Sequence, residues 1–119
     1  MDVADYLMRY PREAAFGDED AAVVFDRYHA PGFVLHNDGV PMSRDALVAH
    51  TRPARKNVVD LSIEVHEALA EGDRVAARFT IVAAMRRGHT VRTDIHMFGR
   101  LAPDGRLQQI DQLTRDPDR

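Results

Sequence analysis

At Val58 the apolar pattern of the chain switches from a helical repeat to a two-residue alternation, and it does not switch back. Helical segments therefore precede strands without interleaving with them, the order of an α+β domain rather than of a doubly wound fold. Three turn signals divide the second half, Glu71-Gly72-Asp73, Arg87-Gly88 and Pro103-Asp104-Gly105, so four consecutive antiparallel strands are expected. In the second of these, residues 74–86, the alternate positions Val75, Ala77, Phe79, Ile81, Ala83 and Met85 form an unbroken apolar face opposite Arg74, Arg78, Thr80 and Arg86. That face is expected to meet the helices. Val82 and Ala84 dilute the polarity of the other face, as suits a sheet partly covered by a second copy of the chain, and a homodimer is expected.

The first half supplies the helices. Asp18 can cap a segment over 18–30, with Glu19 and Asp20 at its positive start, a stripe of Ala21, Val24, Phe25 and Tyr28, and Pro31-Gly32 to stop it. Ser43 caps a second helix, expected to run to residue 52 before Pro53 ends it. The first residues place Val3, Leu7 and Tyr10 on one side of a helix that Pro11 must kink or restart.

Composition narrows the function. A chain of 119 residues fits one domain over its whole length. Its net charge of -3 and dispersed basic residues argue against nucleic-acid binding, which needs a concentrated excess of Lys and Arg. Without cysteine there is no disulfide, thiolate metal site or thiol nucleophile. The charged N-terminal stretch and the lack of a long apolar run predict a cytoplasmic protein without membrane contact. The short basic run Thr51 to Lys56 suits a solvated connector or a weak anion contact.

The later strands carry the candidate chemistry. Residues 90–101 alternate Thr90, Arg92, Asp94, His96 and Phe98 against Val91, Thr93, Ile95 and Met97, so the first set is free to line a cavity. Residues 106–114 put Leu107, Gln109, Asp111 and Leu113 on one side, a carboxylate in apolar company whose pKa burial would raise into a range useful for proton transfer. The bland readings are cross-strand pairing of Asp94 with Arg92 or Arg78 and turn capping by His36 ahead of Asn37-Asp38-Gly39. His50, His66 and His89 read as surface residues. No metal-ligand spacing, phosphate loop or nucleophile elbow is present, and neither metal nor cofactor is expected.

Phe33-Val34-Leu35-His36-Asn37, the stretch from Glu71 to Phe79, and Asp94-Ile95-His96-Met97-Phe98 followed by Asp104-Gly105-Arg106-Leu107 resemble the SnoaL-like polyketide cyclases and ketosteroid isomerases of the nuclear transport factor 2-like superfamily. The resemblance covers nearly the whole chain and implies a curled antiparallel sheet wrapped around N-terminal helices, a cone with a ligand pocket at its open end. It sets Tyr10 at the isomerase's oxyanion tyrosine, His96 near its oxyanion-hole aspartic acid, and Asn37, which cannot take a proton, at its general base, leaving His36 or Asp38 to replace it. Asp111 is the candidate for the cyclases' acid-base aspartate.

The reading that follows is a cofactor-independent lyase, cyclase or isomerase acting on a hydrophobic oxygenated small molecule. Asp111 and His36 exchange protons, Tyr10 and His96 polarise a carbonyl, and Asp94, Phe98, Tyr28, Gln109 and Phe79 are further pocket walls. The alternatives are a non-catalytic ligand-binding or dimerisation module, and an epoxide hydrolase using Asp94, Arg92 and Asp111.

Overall fold

The computed structural model describes residues 1–117. Three helices, α1 (Val3–Phe16), α2 (Ala21–Tyr28) and α3 (Arg44–Asn57), pack against one face of six strands. The strands are β1 (His29–Asn37), β2 (Val40–Ser43), β3 (Val58–Glu71), β4 (Arg74–Met85), β5 (Thr90–Leu101) and β6 (Leu107–Arg115). The sheet is curled and unclosed, in the order β2-β1-β6-β5-β4-β3. It is mixed rather than wholly antiparallel, because β1 lies parallel to β6.

The helix boundaries correct the expectations at three points. Asp20, not Asp18, caps α2, its carboxylate accepting from Ala22 N–H at 2.8 Å. That helix ends at Tyr28 instead of residue 30, since His29 is already extended and starts β1. Pro53 does not end α3, which continues to Asn57. Its last turn is anchored by Arg55 Nε donating to the Ala14 carbonyl at 2.8 Å, and Arg55 and Lys56 suit the negative helix terminus. Pro11 likewise lies inside α1.

Asp38 and Gly39, at φ of 51° and 84°, make the two-residue turn of the β1-β2 hairpin. Strand β2 itself, four residues long, has no counterpart in the sequence reading. The three turns expected in the second half each contain a glycine at positive φ, Gly72, Gly88 and Gly105.

The core lies between the helices and the inner sheet face, where Val75, Ala77 and Phe79 of β4 meet Tyr6 and Leu7 of α1 and Phe25 of α2. Burying each large apolar side chain contributes about 1.5–3 kcal/mol. Gly99 marks the tightest approach on β5: a Cβ there would stand 2.9 Å from Val75 Cγ2 and 3.2 Å from Leu107 Cδ2. Two of the bulges bear on the candidate residues by deciding which side chains face the helices. One extra residue, His66, separates Val65, opposite Phe79, from Glu67, opposite Arg78; another, Gln108, separates Leu107 from Gln109.

Candidate functional site

Between the helices and the inner face lies a cavity of about 180 Å³ whose walls include Tyr10, Leu35, Leu47, Ile81, Ile95 and Gln112. Tyr6, Phe25 and His29 also border it. Carboxylate, ammonium and guanidinium groups are absent from its described walls.

His29 enters through the α2-β1 junction and is 2 % exposed. Its Nδ1 lies 2.7 Å from the Phe25 carbonyl, which can only accept, so Nδ1 carries the proton. Nε2 then accepts from the Tyr6 hydroxyl at 2.9 Å. Burial pushes the His29 pKa down to about 4, which the Phe25 hydrogen bond and Asp26 oppose. Burial, with the neighbouring Tyr10 and Tyr28, raises the Tyr6 hydroxyl well above its ordinary value.

Tyr10 stacks on Tyr6 with ring centres 5.6 Å apart and meets His29 edge-on at 4.8 Å. Burial alone raises its hydroxyl to about 12. At the other side Gln112 Nε2 donates to Asn37 Oδ1 at 3.0 Å, joining β6 to β1.

Of the residues read from sequence, Tyr10 and Phe79 border this cavity, and Tyr28 packs edge-on against Tyr10 at 5.5 Å while its hydroxyl donates to Glu13. The other six, His36, Asp94, His96, Phe98, Gln109 and Asp111, do not join them. Ile95 and Met97 are in the core, so the pleat turns Asp94, His96 and Phe98 to the outer face. On β6 the bulge at Gln108 keeps Leu107 inside but sends Gln109, Asp111 and Leu113 outward, splitting the face expected to hold all four. Leu35 faces inward opposite Ile110, so His36 points outward opposite Asp111.

That outer pair stands at 3.1 Å, Nδ1 to Oδ1, without the alignment of a hydrogen bond; Asp111 is exposed, and His36 is half-buried with its Nδ1 atom covered. The acid-base set of Asp111, His36, His96 and Tyr10 is thus divided by the sheet. The epoxide-hydrolase set is also dispersed, since Asp94 and Asp111 face Arg115 and Phe98 respectively, positions roughly 13 Å apart along β5.

The outer face has its own, larger groove of about 540 Å³, bordered by His66, Arg78, Thr80, Arg92, Asp94 and His96 among others. Its polar groups are largely engaged. Thr80 donates to Asp94 Oδ1 at 2.7 Å and bonds His66 Nε2 at 2.8 Å, and Arg78 pairs with Glu67 at 2.9 Å. The Thr80 hydroxyl, with Arg92, Arg115 and His66, holds the Asp94 carboxyl below its ordinary range. The more apolar inner cavity is therefore the better candidate.

Sequence reasoning missed Tyr6, His29 and Gln112. His29 fell inside an overlong helix, and Gln112 faces the cavity only because of the bulge. The Pro31-Gly32 breaker two residues beyond His29 was the available signal for the first.

Solved structures of the same fold include a nuclear transport factor 2-like protein of unknown function from Exiguobacterium, 15% identical with a TM-score of 0.73 over 96% of this chain and 98% of that one. IdmH, a candidate polyketide cyclase from Streptomyces antibioticus, is 17% identical with a TM-score of 0.69 over 93% and 90%. AclR, a candidate hydroxylase from Streptomyces galilaeus, is 21% identical with a TM-score of 0.64 over 81% and 84%. Among curated proteins none matches the sequence. Residues 9–110 match the SnoaL-like domain, and on that match, with the curled sheet enclosing a helix-lined cavity, the chain belongs to the SnoaL-like family.

Proposed function

We propose that the protein binds a compact hydrophobic molecule carrying oxygen inside the inner cavity. The observation that carries this reading is a mostly apolar pocket of about 180 Å³ whose polar wall residues are Tyr6, Tyr10, His29 and Gln112. Polarisation of a carbonyl by Tyr10 is the step such a pocket can lend to cyclase- or isomerase-type chemistry.

A proton shuttle within the cavity has less support. Burial holds the proton on the Tyr6 hydroxyl and disfavours its uptake by His29, so transfer between them is uphill. The pair is therefore a fixed donor and acceptor at neutral pH, not an acid-base couple. Binding stands ahead of catalysis on that ground.

The check is amide and side-chain NMR of the full chain titrated with small neutral aromatic compounds. Shifts are expected at Ile81, Ile95 and the Gln112 amide, and Leu47→Trp, which fills the space, is expected to weaken binding at least about tenfold. Shifts confined to Thr80, Asp94 and His96 would move the site to the outer groove.

The outer face supports a homodimer. Leu69 is 69% exposed, Phe98 72% and Leu113 68%, and Leu69, Ala76 and Phe98 form one row across three strands. Sedimentation is expected to show a dimer that Phe98→Glu dissociates. A wild-type monomer at tens of micromolar would refute this.

A further inference from the structure

We propose that the outer face holds a second binding site, for a small soluble oxyanion with an apolar body. Its carboxylate, phosphate or phosphonate head sits on Arg92 and Arg115, and its body lies over Leu113. The site is separate from the inner cavity and does not depend on what occupies it.

Donors and acceptors are unequally spent in the outer groove. At its floor the buried Thr80 hydroxyl gives its proton to Asp94 Oδ1, so its oxygen accepts from His66 Nε2, and that nitrogen carries the proton. Arg92 and Arg115 act on the Asp94 carboxylate through charge, the Arg92 Nε standing 3.8 Å away, and neither spends an N–H on it. Arg78 is answered by Glu67 at 2.9 Å. Asp94 is the only carboxylate among the described residues that line the groove. Two guanidiniums therefore share one counter-charge, and a positive excess remains in a chain whose net charge is -3.

Strand register turns that excess into a site. Asp94 lies opposite Thr80 on β4 and Arg115 on β6. Arg92, two residues before Asp94, shares its face and is diagonal to Arg115, an offset of about 7–8 Å. Two long guanidinium side chains at that offset can converge on one oxyanion, each with two parallel N–H donors. Leu113, two residues before Arg115 on the same face and opposite His96, is largely exposed and supplies an apolar wall beside the charges. At about 540 Å³ the groove has the volume of a small-molecule site. The row of Leu69, Ala76 and Phe98 lies further along the sheet: Phe98 is four residues from Asp94, roughly 13 Å along β5, so the charged end falls outside it.

Methyl NMR and calorimetry on the full chain at pH 7 test this with phenylphosphonate, phenylacetate, inorganic phosphate, benzyl alcohol and benzylammonium. Phenylphosphonate and phenylacetate are expected to shift the Leu113 and Thr80 methyls and to leave the inward Ile81 and Ile95 methyls in place. Phenylphosphonate is expected to bind at least about tenfold tighter than benzyl alcohol or benzylammonium, and more tightly than phosphate alone. Arg92→Gln and Arg115→Gln are each expected to weaken it about tenfold, whereas Arg52→Gln, the same loss of charge on α3, leaves it unchanged. Benzyl alcohol or inorganic phosphate equalling phenylphosphonate would overturn the inference, as would an equal loss in Arg52→Gln. Anions that shift only the inner methyls would overturn it while leaving the inner cavity as a binding site. Co-sedimentation with phosphatidic acid vesicles, without response to soluble phenylphosphonate, would assign the arginines to a membrane surface instead. The wild-type ranking of the probes decides the matter even if an arginine variant folds poorly.

Discussion

Acidification from pH 7 to pH 4 is expected to remove about 3 kcal/mol of folding stability through His29 alone. In the unfolded chain this imidazole takes up its proton near 6.5, while in the folded protein burial holds the pKa at about 4. Between those values the unfolded state binds the extra proton and the folded state does not, so each pH unit of acidification draws about 1.4 kcal/mol toward unfolding. The contribution is whole above about 6.5 and is lost as pH falls through 4. The carboxylates held low by their partners, Asp26 under Arg44, Asp38 under Thr114 and Asp104 under Arg106, act later, as pH falls through and below their ordinary range. Urea unfolding at pH 7.0, 6.0, 5.0 and 4.5 measures the effect. His29→Phe should lie lower at pH 7 and nearly flat over this window, because it has lost the Tyr6 bond but also the titrating group. A His29→Phe profile parallel to the wild type would show that the acid sensitivity lies elsewhere.

The same histidine shows where the sequence was legible. The strand meander was readable because β4 keeps an unbroken apolar face at alternate positions and each connecting turn contains a glycine at positive φ. Periodicity fixes faces only while the count of residues is regular. A bulge adds one residue and inverts every position beyond it, and neither His66 nor Gln108 differs in type from an ordinary strand residue. Asp111 was accordingly placed with Leu107, when its true companions are His36 and Phe98 on the outer face. The parallel closure of β1 on β6 is a long-range pairing, with Leu35 opposite Ile110, and local pattern carries no record of it. Tyr10 was readable because its position on α1 is set by helical spacing from Val3 and Leu7, both in the core. Its partners, Tyr6, His29 and Gln112, come from three elements that only the tertiary fold brings together.

Phe25→Ala is expected to be the most damaging single truncation that also changes what the cavity admits. Phe25 is 2 % exposed, stacks on His29 at 4.0 Å, meets Phe33 and Tyr10 edge-on at 5.6 and 6.2 Å, and borders the cavity. Removing a buried phenylalanine ring costs about 3–5 kcal/mol, a large share of the roughly 5–15 kcal/mol that holds a domain together. Thermal and urea unfolding read that loss. The ring's space also adds to the 180 Å³ already there, so a two-ring ketone such as 2-acetylnaphthalene is expected to bind more tightly than it does to the wild type. Phe25→Leu opens less space and retains more packing, which keeps the functional result measurable if the alanine variant unfolds. In that variant water reaches the imidazole more easily, and the His29 pKa is expected to climb from about 4 toward 6.5 as its desolvation is relieved. The Cε1 proton of His29, followed by NMR against pH, reports this directly. A folded Phe25→Leu protein that binds the naphthyl ketone no better than the wild type and keeps His29 near 4 would mean that other walls set both the space in the cavity and the dryness of its histidine.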